Sequence, residues 1–133
     1  MTKLAAVLVI ICSGFASQYA PGVMDKVVYN RQNLSTAVSL PDKLPDVHGY
    51  VAAQKCGDIG KIVYLRPSNC EDCAFERFLV ADCAGIADGG FDWMRRNNIL
   101  FEVDYETSKR WNTVGRLIQV EYAVIKNIGH KFE

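Results

Sequence analysis

Long runs of like charge are missing from this sequence, and so is any net charge. Fifteen lysines and arginines balance fifteen aspartates and glutamates. No basic run exceeds two residues, as at Arg95-Arg96 and Lys109-Arg110. A nucleic-acid binder needs clustered positive charge to displace counterions, so no nucleic-acid partner is expected. Histidine is scarce: His48 and His130 have no cysteine or carboxylate at a spacing that suggests a metal or a catalytic dyad. No metal and no cofactor are therefore expected. A P-loop, a dinucleotide fingerprint, a G-x-S-x-G elbow and an H-E-x-x-H helix are all absent, which argues against several enzyme classes. No apolar run approaches the roughly 20 residues that a spanning helix needs.

What is present suits one folded domain. Half of the 133 residues are apolar and 11% are aromatic, enough to bury a real core. The first sixteen residues read as a signal peptide. Lys3 gives a positive start, Leu4 to Cys12 an apolar run, and Ser13-Gly14-Phe15-Ala16 a small-residue end suited to cleavage. The same run also fits a buried first strand. Acylation at Cys12 is disfavoured, because Ile11 stands where a lipobox needs a small residue. Residues 17–133 then form the domain, secreted or periplasmic, with no membrane contact once the leader is gone.

Outside the leader four cysteines remain, Cys56, Cys70, Cys73 and Cys83. An even count in a short exported chain points to disulfides, with three connectivities open. A zinc site is the rival reading, but only Cys70-Glu71-Asp72-Cys73 has knuckle spacing. Free buried thiols are the third possibility. The expected pairs are Cys70 with Cys73 across a hairpin tip, and Cys56 with Cys83.

Strands are expected near 17–20, 50–53, 61–66, 76–83, 99–104 and 116–125, from alternation and from β-branched and aromatic content. Met24 to Gln32 fits either a helical turn or an irregular excursion, and 33–48 reads as a long loop. Short helices are expected within 92–98 and over 105–112. Six short strands and little helix argue for a closed all-β barrel.

Four stretches add a family resemblance: Ala16-Ser17-Gln18-Tyr19; Val51-Ala52-Ala53-Gln54 with the later Gly60; Val80-Ala81-Asp82-Cys83; and Glu102-Val103-Asp104-Tyr105, continuing to Val114-Gly115. Their order and gaps resemble the rare lipoprotein A-like branch of the double-psi β-barrel superfamily, which also holds expansins and barwin-like proteins. The resemblance covers residues 16–125. It implies a six-stranded double-psi barrel with a groove for cell-wall polysaccharide, peptidoglycan in particular. It also implies lytic-transglycosylase-like chemistry in the members that cleave glycan. Those members carry histidine where this chain has Gln54, and aspartate where it has Glu102.

A glycosidic bond needs a proton donor for its leaving oxygen, and hydrolysis commonly needs a second carboxylate. Asp82, at the end of the apolar stretch Phe78-Leu79-Val80-Ala81, is the first candidate acid; the alternative is an aspartate accepting backbone hydrogen bonds in a turn. Glu102 is the second candidate, with Gln54 and Asp104 as polar contacts to substrate. Strand periodicity puts Leu100, Glu102 and Asp104 on one face, which lines a groove or faces solvent, and Asp104 also fits a helix N-cap. Tyr19 and Trp93 are candidate sugar platforms, as is Tyr50, whereas Trp111 is expected to pack on the barrel. Two functional readings stay open: a lytic-transglycosylase-like enzyme, or a non-catalytic binding or wall-loosening module. A purely structural secreted domain is a third. A monomer is expected.

Overall fold

The computed structural model describes residues 4–85 and 89–129. The elements run β1 (Leu4–Gln18), α1 (Val23–Asn33), β2 (Gly49–Ala53), β3 (Ile62–Pro67), β4 (Glu76–Cys83), α2 (Gly90–Arg96), β5 (Ile99–Val103), α3 (Tyr105–Arg110) and β6 (Ile118–Gly129). The all-β expectation holds: six strands carry the fold and the helices are short. In hydrogen-bonded order the strands run β1-β5-β2-β4-β3-β6, and β6 pairs back onto β1 to close the ring. The β1–β5 and β2–β4 neighbours are parallel, while the other pairs are antiparallel.

Alternation explains how the ring fills. In β5, Ile99, Phe101 and Val103 are buried and Leu100 and Glu102 half-buried, as strand periodicity predicts. Phe101 and Val103 join Val51, Leu65, Phe78, Val80 and Val120 in the main core. A second apolar layer lies outside the ring, where Met24 and Val28 of α1 and Leu40 of the following loop pack with Ala52, Leu79 and Ala81. The segment whose sequence left helix and irregular structure open is thus a helix of 11 residues. Its propensity is ordinary; burial of one face against β2 and β4 holds it in place.

One irregularity positions the site. The β2–β4 pairing shifts between Val51↔Val80 and Ala52↔Asp82, leaving Ala81 as the extra residue of a bulge. Continuing across the ring, Ala52 opposes Glu102 and Glu102 opposes Ser17. Directly opposed residues share a face. Ser17, Glu102, Ala52 and Asp82 therefore form one row across four neighbouring strands.

β1 differs most from expectation. Instead of starting near residue 17 it starts at Leu4, and Tyr19 lies just past its end. Residues 4–14 pair with β6 alone, while β5 joins only from Phe15 onward. Val7, Leu8, Ile10 and Ile11 all remain exposed, Ile10 at 50%. Apolar residues on both faces hide the period-2 signal, so alternation cannot reveal this strand. Ala16 is buried and sits opposite Phe101, so a boundary after Ala16 falls inside the barrel part of the strand.

Both expected disulfides are present. Cys56 bonds Cys83 with Cα atoms 4.8 Å apart, and Cys70 bonds Cys73 at 5.3 Å. The first ties the turn after β2 to the end of β4, and the second closes the β3–β4 tip.

Candidate functional site

Asp82 sits at the bulge end of β4, under α1. Its Oδ2 accepts a hydrogen bond of 2.6 Å from the Tyr19 hydroxyl, across 63 residues of sequence. Its Oδ1 accepts one of 2.7 Å from Arg31 Nη2. The Arg31 and Asp82 side chains are 16% and 18% exposed, so the pair is largely shielded from water. Arg31 also donates through Nη1 to the Val38 carbonyl at 3.0 Å, fastening the loop that follows α1. Its partners are thus two side chains from distant elements, Tyr19 and Arg31.

Burial pushes the Tyr19 phenol well above its usual range, and the hydrogen bond to Asp82 pushes it further. Tyr19 stays a protonated donor at any ordinary pH. Glu102, in the same row, is also raised above the ordinary carboxylate range. Burial is the main cause; the Ser17 hydroxyl opposes it, and the charge of Asp82 adds to it. Two carboxylates thus share one face with different surroundings, one held by a cation and a phenol, the other desolvated.

A consequence for stability follows. Because its folded pKa lies above the unfolded one, native Glu102 binds its proton more tightly than the unfolded chain does. Stability then falls as pH rises through the window from the ordinary carboxylate pKa to the raised value. Glu102→Gln should therefore be more stable than wild type above that window and indistinguishable below it. Asp104, raised chiefly by burial, leaves a residual slope of the same sign in the variant. Melting temperatures of both proteins from acid to neutral pH test this; a variant no more stable at neutral pH refutes it.

No family model matches the chain. No curated protein matches its sequence either.

The remaining candidates divide. Gln54 turns its Nε2 to the Ile99 carbonyl at 2.8 Å, bridging the end of β2 to β5. Asp104 occupies the N-cap of α3, where its carbonyl accepts from the Ser108 amide at 3.2 Å. Trp93 stands on α2 and is 42% exposed, while Met94 of the same helix packs with Ile99 and Ala84. Tyr50 packs in the outer apolar layer. Trp111 packs on the core as expected, its ring 5.8 Å from that of Phe78. His48 accepts from the Arg77 amide through Nδ1 at 2.9 Å, a structural role, and His130 lies outside the described residues. Among the described residues no cluster of histidine, cysteine and carboxylate could hold a metal ion.

Sequence reasoning missed Arg31. A signal existed: Met24, Val28 and Arg31 recur at i, i+4 and i+7, which places the arginine on the buried face of α1. Without a firm helix assignment that periodicity had nothing to act on.

Proposed function

We propose that this chain is a secreted, glycan-interacting domain of the rare lipoprotein A-like, double-psi class, and that it holds cell-wall polysaccharide without cleaving it efficiently. The observation that carries this reading is the hydrogen bond between Tyr19 and Asp82. These residues come from two of the stretches that carry the resemblance, and they meet in one polar cluster with Glu102 close behind. Aromatic hydroxyls, carboxylates and a guanidinium suit the hydroxyl-rich surface of a sugar.

Two features favour binding over turnover. Both oxygens of Asp82 are already taken as acceptors, by Tyr19 and Arg31. A general acid must instead present a proton to the leaving oxygen. Gln54, where cleaving members carry histidine, is turned to a backbone carbonyl and cannot shuttle protons. The two disulfides fit an oxidising, extracellular setting.

Wild-type protein should co-sediment with purified peptidoglycan and release no 1,6-anhydro products detectable by mass spectrometry. Release of such products would refute the binding-only reading. One observation favours a second reading in that event: burial raises the pKa of Glu102, as suits a proton donor, and the residue shares its row with Asp82. Glu102→Gln would then lower turnover by roughly a hundredfold or more.

A further inference from the structure

At the end of the ring where β3 stops and β6 begins, a groove of about 730 Å³ opens between the β3–β4 tip and the α3–β6 connection. None of the residues that surround Asp82 lines it. Its volume lies within the range of about 300–1,000 Å³ typical of small-molecule sites. Trp111 forms part of its wall. The indole is fixed from behind by the Phe78 ring and at its edge by Glu76, whose Oε2 accepts from Nε1 at 2.6 Å. The other oxygen of Glu76 accepts from Arg110, so the charges of that pair cancel, and Arg116, donating to the Asn112 carbonyl, adds one cation to the lining. Arg110 is itself held by the His48 carbonyl at 3.3 Å, leaving little freedom in the assembly.

The opposite wall is equally rigid. The Cys70–Cys73 disulfide closes the tip, and Arg66 donates to the carbonyls of Glu71 and Cys73 at 3.1 and 3.2 Å. Asn69, Thr113 and Gln119 contribute neutral polar groups to the lining. A fixed indole, neutral hydrogen-bonding side chains and a neutralised ion pair suit a ligand with an apolar ring face and many hydroxyls. The single net positive charge that Arg116 adds is too little for a phosphate-rich polyanion. Prior rigidity lowers the entropic cost of binding.

We propose that this groove is a second saccharide-binding site, with Trp111 as the platform for one sugar ring. The chemical class of ligand rests on the glycan reading above, but the location does not depend on Asp82. The sequence holds two tryptophans, so Trp93→Phe leaves Trp111 as the sole indole reporter. Titration of that variant with chitohexaose, which carries no peptide, should shift the indole emission saturably. By calorimetry, Trp111→Phe should weaken chitohexaose binding by about tenfold, through loss of platform area and of the Nε1 anchor. Because that change also touches the core, the double variant Asn69→Ala/Gln119→Ala provides a second test, with an expected weakening of several-fold. An unresponsive indole in protein that still sediments with peptidoglycan overturns the groove alone. If the indole does not respond and wild-type protein does not sediment either, the glycan reading is overturned as well. An indole that responds to stem peptide but not to chitohexaose also overturns the proposal.

Discussion

Replacing Cys56 and Cys83 together by serine should destabilise the fold by about 3–4 kcal/mol, as the chain-entropy estimate gives for a loop of this length. For a domain of this size that corresponds to a fall in Tm of roughly 10–15 °C. The bridge closes a separation of 27 residues and joins the exit of β2 to the end of β4. Cys83 is the residue after Asp82, so the bridge also fixes the strand end that carries the site. The Cys70–Cys73 bridge spans only three residues, and its tip is held independently by Arg66. Its removal should cost less, about 2 kcal/mol. Thermal melts of the two double-serine variants decide the matter. Equal losses, or a greater loss at the tip, would refute the ranking.

The strands were legible where one face is buried and the other wet. In β5 the burial of Ile99, Phe101 and Val103 follows the alternation of the sequence, and the paired face carries Leu100 and Glu102. The extension of β1 was not legible, because Val7 through Ile11 are apolar on both sides of a ribbon that has no core on either face. Local pattern alone does not separate such a run from a leader.

Half of the site was legible for a related reason. Asp82 and Glu102 could be picked out by their strand positions, but the row that unites them depends on a bulge at Ala81, which no local signal marks. Gln54 shows a demand that its sequence position does not reveal. Its Nε2 links the end of β2 to β5. A polar residue just past a strand end has an unpaired carbonyl nearby, and satisfying it competes with any role towards a ligand.

The largest single-residue loss at the site should come from Asp82→Ala. It strips the Arg31 side chain, 16% exposed, of the one carboxylate it pairs with among the described residues and leaves the Tyr19 hydroxyl without its acceptor. Removing one member of a buried pair typically costs about 3–5 kcal/mol, because the stranded charge stays desolvated. The lower end applies here, since Arg31 retains the Val38 carbonyl and some water contact. Asp82→Asn should fall between wild type and alanine, because the amide can still accept one of the two hydrogen bonds. The decisive comparison is the double variant Asp82→Leu/Arg31→Met. Replacing both partners by apolar side chains removes the stranded charge, so this protein should recover most of the stability lost in Asp82→Ala. It should nevertheless sediment more weakly with peptidoglycan, because the polar cluster is gone and only the Trp111 groove remains to hold glycan. A loss under about 1 kcal/mol in Asp82→Ala would mean that the pair is effectively solvated. Sedimentation as strong as that of wild type in the recovered double variant would move the binding surface away from Asp82 altogether.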